Sequence, residues 1–214
     1  ASLYQAYVAS GDVERRKNTV MSVEELRAAG GDWTEPNAYD FEGYFQRRYG
    51  TFLTQTSTSG GDVGELNYGT NWRLIRYADV LLMAAEAEIE VGSLGKAREY
   101  INRVRTRAAN PVGMVPNAPA NYQIKEYTQA FTDQAMARNA VRFERRLELA
   151  LEGHRFFDLV RWNIAAETIN SYQKLLKEYK TDKSKLNALL KKQSDSGKEQ
   201  EYNTFLLNEL VANP

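Results

Sequence analysis

The strongest constraint on the fold of this chain is a pair of apolar stripes with helical period, set three residues apart. In WRLIRYADVLLMAAEAEIEVG, Leu74, Ala78, Leu81 and Ala85 recur every three or four residues, while Arg76, Asp79, Glu86 and Glu90 fall on other faces. Gly92 closes that run. After Ser93-Leu94-Gly95, a second stripe of Ala97, Ile101, Val104 and Ala108 stops short of Pro111. Two stripes joined this tightly bury their apolar faces by folding back as an αα-hairpin. The small residues near Ala84 and Ala85, the glycine turn, then Ala97 and Ile101 make one tetratricopeptide-like unit, where a solenoid needs several.

The flanking chain supports a mostly α class with helical hairpins, long irregular loops and little strand. Residues 1–70 read as a loop-rich lobe: a short helix over 3–8 halted near Gly11, a turn or two of helix after a Ser22 cap, then aromatic and Thr/Ser/Gly-rich stretches. The helical core is expected over 71–165. There NPVGMVPNAPAN crosses as a loop to a helix beginning near Thr132 or Asp133, with Met136, Ala140, Phe143, Leu147 and Ala150 inward and Gly153 closing it in a left-handed conformation. A following helix that starts within 154–156 is expected to bury Phe156, Leu159 and Val160. Residues 166–214 read as a lysine-rich helical tail, and the whole of 1–214 as one domain.

Charge removes several functions. The 28 basic and 28 acidic residues cancel, so nothing builds the long-range positive field that nucleic acid requires. Cysteine is absent, which removes disulfides, thiolate nucleophiles and sulfur-ligated metals. The longest purely apolar run, 80–85, is far short of the roughly 20 residues that span a membrane as a helix.

The densest chemistry lies in ERRLELALEGHRFFDLVRW, which sets Glu144, Glu148, Glu152 and Asp158 against Arg145, Arg146, Arg155 and Arg161 around the single histidine, His154. A catalytic triad through His154 has no GxSxG elbow, and HRFFD offers no second histidine for a zinc pair. No phosphate loop or dinucleotide fingerprint occurs, so neither catalytic residues, a metal site nor a cofactor is assigned. The structural reading is an inter-helix network at the Gly153 joint. Arg145–Glu148 and Asp158–Arg161 are spaced for pairing along a helix, and Arg98, Arg103, Arg105 and Arg107, with Arg76, are candidates to neutralise the ridge of Glu144, Glu148 and Glu152.

Together these segments resemble the C-terminal half of the SusD/RagB family. Members carry an RYADVLLMYAEA-like helix, an A…INxVRxRAG-like helix and an ERRxELAxEGxRxxDLxRW-like element in this order. SGDVERR is similar to the family's GDPRR-like segment, with Val13-Glu14 in place of the proline, and GYFQRRYG to its GYxxxKY-like one. The tail lacks the PIP-containing ending. The resemblance implies a surface-exposed, lipid-anchored outer-membrane protein of Bacteroidetes-type bacteria, a binder of glycan or in some members peptide rather than an enzyme. Its implied partner is a SusC-like TonB-dependent transporter. Family members are far longer, so the resemblance also implies that this chain lacks an N-terminal half carrying the lipid-modified cysteine.

In that family the long motifs are scaffold and ligand contacts sit on loops. The loop DWTEPNAYDF offers Trp33 and Tyr39 for stacking on pyranose rings, with Asn37 and Asp40 to read hydroxyls. The same aromatics, with Phe41 and Tyr44, also suit a plainer role as anchors of a long loop on the helical core. A helical protein-interaction module without sugar affinity is the remaining alternative.

Overall fold

The computed structural model describes residues 2–22, 25, 28, 44–48, 74–109 and 124–181. In chain order these form α1 (Ser2–Ala9), α2 (Val13–Thr19), β1 (Val20–Ser22), β2 (Tyr44–Gln46), α3 (Tyr77–Val91), α4 (Leu94–Ala109), α5 (Gln134–Glu148), α6 (His154–Arg161) and α7 (Ala165–Thr181). The mostly helical class holds. The two strands form one antiparallel pair, with Met21 opposite Phe45. Trp33, Asn37, Tyr39, Asp40 and Phe41 lie outside the described residues, as does the tail beyond 181.

The α3–α4 hairpin and the first half of α5 share one apolar core. Leu81, Leu82, Ala85 and Ile89 of α3 meet Ala97, Ile101 and Val104 of α4, and Ala137, Ala140 and Val141 of α5 close the third side. Leu82, Ala85, Ala97 and Ile101 are fully buried, and removing a side chain the size of Leu82 or Ile101 from water is worth roughly 1.5–3 kcal/mol. The α5 helix starts where Asp133 caps it: the carboxylate accepts a hydrogen bond from the Met136 amide at 2.8 Å.

The second half of α5 belongs to a different core. Leu147 and Ala150 pack with Ala6, Tyr7 and Val20, so the α1–α2–β1 segment rests on the far end of the same helix. The Tyr7 hydroxyl donates to the Leu147 carbonyl, and burial pushes its pKa up to about 12. Beyond β1, the Ser22 hydroxyl accepts from the Glu25 amide at 3.2 Å while the Glu25 carboxylate accepts from the Ser22 amide at 2.9 Å. This reciprocal capping box stands where the sequence suggests a Ser22 cap. The described part of 1–70 is thus organised as two helices, a capped turn and a strand pair.

Four expectations need correction. Leu74 does not belong to the α3 stripe: the helix starts at Tyr77 after Arg76 in extended conformation, and Leu74 is 78% exposed. Arg76 is drawn instead towards carboxylates on α5 and the turn after it. Met136, in the capped first turn of α5, is exposed at 42%. Within α6 only Asp158 and Leu159 are buried, and Phe156 and Val160 are more than half exposed, because the face of α6 that meets α5 and α3 is its charged one. Finally, α5 ends at Glu148, five residues before Gly153. Arg48 Nη1 takes the Glu148 and Ala150 carbonyls at 3.1 Å each, and Arg76 Nη2 takes the Glu148 carbonyl at 2.9 Å. With its end capped by side chains, the helix needs no terminal glycine. Gly153, at φ 84°, instead leads directly into α6.

Candidate functional site

The charged stretch sorts into two nodes on opposite sides of α5. Glu144, Glu148 and Arg145 are all buried although α5 alternates charge, because i and i+4 share a face and i+1 does not. Glu144 and Glu148 face the α1–α2 segment and the end of α4. Arg145 points the other way, towards α3 and α6.

In the first node five guanidiniums converge on four carboxylates. Arg15 Nη1 meets Glu144 Oε1 at 2.7 Å and Glu148 Oε2 at 2.8 Å, and its Nε pairs with Asp12. Arg105 Nη1 takes the other Glu144 oxygen at 2.8 Å. Arg107 and Arg76 share Glu148 Oε1 at 2.6 and 2.8 Å. Arg76 also grips Glu152 through Nε and Nη2, at 2.7 Å each, and Arg48 Nη2 adds a bond to Glu152 at 2.8 Å. Charge-assisted bonds of this geometry are about twice as strong as neutral ones. They also fix direction, which apolar contact does not.

The electrostatic consequences differ within the node. Burial alone would raise the Glu148 pKa, but Arg15, Arg107 and Arg76 outweigh it and hold the carboxyl below its ordinary value. Burial raises Asp12, and one partner, Arg15, does not fully offset it. Arg76 is pushed above the usual guanidinium value: desolvation opposes this, and the bonds to Glu152 and Glu148 overcome it.

The second node is built around Arg145, which bridges Asp79 of α3 (Nη1, 2.8 Å) and Asp158 of α6 (Nε, 2.9 Å). Asp158 also takes Arg161 at 2.8 Å, and Arg161 extends to Glu86 at 2.7 Å. The expected Asp158–Arg161 pair is present. The expected Arg145–Glu148 pair is not, because Arg145 is occupied on the opposite side of the helix. Among the other candidates Arg98 donates to the Thr128 carbonyl and Arg103 to the Tyr77 hydroxyl, leaving Arg76, Arg105 and Arg107 as the partners used. Arg155 lies 5.9 Å from the centre of the Trp162 ring, with no carboxylate within ion-pair distance among the described residues. His154 is half-buried as the first residue of α6, with no hydrogen bond or ion pair among the described residues. The described residues also contain no group of three His, Asp or Glu side chains able to hold a metal ion.

Reading from sequence missed Arg15, Arg48, Asp12 and Asp79 as members of these nodes. The first two lie in SGDVERR and GYFQRRYG, and their signal was the arginine doublet in each segment, matched to a glutamate ridge too dense to stand without partners. Dispersed arginines clamping one helix end are the construction of a scaffold rather than of a catalytic centre.

The profile of the SusD family matches residues 3–213, and the chain belongs to that family, also called SusD/RagB. Three SusD-like proteins of Formosa agariphila are similar to it: 36% identical over 107 residues, 38% over 103 and 41% over 100. These matches cover 50%, 47% and 46% of this chain and 18% of each relative. No solved structure matches it.

Proposed function

We propose that this chain is part of a cell-surface binding protein that captures a glycan for import through a SusC-like TonB-dependent transporter. The single observation that carries this reading is the SusD-family match across residues 3–213. In the same reading the whole protein sits on the outer membrane, anchored by a lipid on an N-terminal segment, and binds its cargo without turning it over. The arrangement of the arginines supports a division of labour. Family-like segments are consumed by the buried nodes, which leaves recognition to loops.

Within that reading Trp33 and Tyr39 stack on sugar rings, and Asn37 and Asp40 read neighbouring hydroxyls. Calorimetric titration of an oligosaccharide panel against wild type, Trp33→Ala and Tyr39→Ala tests the assignment. Loss of at least about tenfold in affinity, roughly 1.4 kcal/mol, is expected for each. Unaltered affinity in both folded variants removes this loop from the site. Failure of every glycan to bind wild type removes the glycan reading itself.

A second reading, binding of peptide or protein, has an observation of its own. Tyr77, Val80 and Met83 of α3 and Phe156, Phe157 and Val160 of α6 are all at least 44% exposed. Apolar rows of this size support contact with further protein, whether the remainder of a longer chain, the transporter or a peptide cargo. A peptide array probed with wild type and Phe157→Ser tests it: peptide capture that the serine variant loses favours this reading over sugar, and capture that it retains counts against it.

A further inference from the structure

Away from the buried clamp of Glu144 and Glu148, a groove of about 160 Å³ opens between α3, α5 and the end of α6. Its apolar wall is Ile89, Val141 and Trp162. The carboxylates on its rim are already engaged. Glu90 accepts two bonds from Arg138, at 2.7 and 2.6 Å. Glu86 accepts from Arg161 and, at 3.0 Å, from the Trp162 indole N–H. Arg142, also lining the groove, stands differently: its guanidinium carbon lies 5.0 Å from the centre of the Trp162 ring, with no hydrogen-bond or ion-pair partner among the described residues.

The surrounding charges leave Arg142 and Arg155 in excess, and of these two only Arg142 lines the groove. Arg138, Arg142, Arg145, Arg155 and Arg161 stand against Asp79, Glu86, Glu90 and Asp158, and the four acids are taken by Arg138, Arg145 and Arg161. Burial lowers the Arg142 pKa, and Arg138 and Arg161 press the same way against Glu86 and Glu90. A half-buried guanidinium stacked on an indole is held in one orientation and presents a planar fork of donors. That fork matches a carboxylate, which accepts two parallel bonds. The groove is smaller than the roughly 300–1,000 Å³ of pockets for drug-sized molecules, so it suits one acidic unit.

We propose that this groove binds the carboxylate of a single acidic sugar unit, a uronic acid, through a two-pronged bond to Arg142. The ligand class rests on the glycan-binding reading, whereas the position rests on the groove alone. The test follows the indole N–H resonance of Trp162 by nitrogen-15 NMR on the whole 214-residue chain, assigned with Trp162→Phe. Sodium glucuronate, its methyl ester, glucose and sodium chloride are titrated at matched ionic strength.

A saturable shift is expected with glucuronate only, weakened at least about tenfold in Arg142→Gln and undiminished in Trp33→Ala. An equal shift with glucose, the ester or chloride overturns the proposal, as does an undiminished shift in Arg142→Gln or no shift with any titrant. Should Arg142→Gln not fold, the comparison of glucuronate with its ester in wild type decides. Oligosaccharide binding that survives Arg142→Gln and dies in Trp33→Ala leaves the glycan reading standing whether or not this groove is a site.

Discussion

The α3–α4 hairpin and the clamp at the end of α5 solve the same packing problem with opposite chemistry. The hairpin excludes water with Leu82, Ala85, Ala97 and Ile101, whose contacts carry no direction. The clamp buries Glu144 and Glu148 just as deeply, and each carboxylate oxygen has a named guanidinium. Apolar cores accept substitutes of similar volume at modest cost. A buried ion pair is far less tolerant of a single change, since removing one partner leaves the other charged and dry. What the contrast teaches is that the hairpin supplies bulk stability, whereas the clamp dictates how α1, α2 and the turn at 149–153 sit on the helices.

The largest break in that contrast comes from Glu148→Gln, which keeps volume and removes charge. It is expected to cost about 3–5 kcal/mol, lowering the melting temperature by roughly 10 °C in a calorimetric scan. Acid titration asks the same question without mutation. Because Glu148 is held below its ordinary value of 4.5, its contribution is fully present above about that pH and is lost as pH falls through the lowered value. Asp12 has the opposite sign: its raised pKa means ionisation costs stability, and acidification relieves it. Chemical denaturation across pH should therefore show a shallower acid limb in Glu148→Gln and a steeper one in Asp12→Asn. Leu82→Met, the matching swap in the hairpin, should cost less than about 1.5 kcal/mol by the same denaturation. The smallest effect belongs to Glu90→Gln on the exposed Arg138 pair. Its cost should vanish at high salt while that of Glu148→Gln persists, since screening reaches only solvated charges.

Legibility in the sequence followed the same divide. The hairpin, Gly92 as its turn and the start of α5 near Asp133 were open to reading because helical period and capping chemistry act within a few residues. The clamp was half readable. Its acids and three of its arginines, Arg76, Arg105 and Arg107, announced themselves as a ridge and a partner helix. Arg15 and Arg48 did not, because an ion pair between distant segments leaves no periodic trace. Phe156 and Val160 were misread for a related reason: a stripe on α6 states that a face is apolar, not that something covers it. Leu74 was misread because Arg76, pulled to Glu148 and Glu152, holds the chain extended where period alone continues the helix. For Trp33, Asn37, Tyr39 and Asp40 the loop assignment still rests on sequence.

The reach of the clamp has a consequence for how the molecule comes together in time. Arg15 meets Glu148 across 133 positions and Tyr7 meets Leu147 across 140, whereas only Gly92 and Ser93 separate α3 from α4. Contacts between close neighbours can form early, and joining distant segments must first overcome loop-closure entropy. Stopped-flow kinetics should then show the hairpin formed in the rate-limiting step and the clamp completed after it. Glu148→Gln would speed unfolding while leaving the folding rate nearly unchanged. The charged stretch around Glu148 would act as a latch, thrown last and the first to slip.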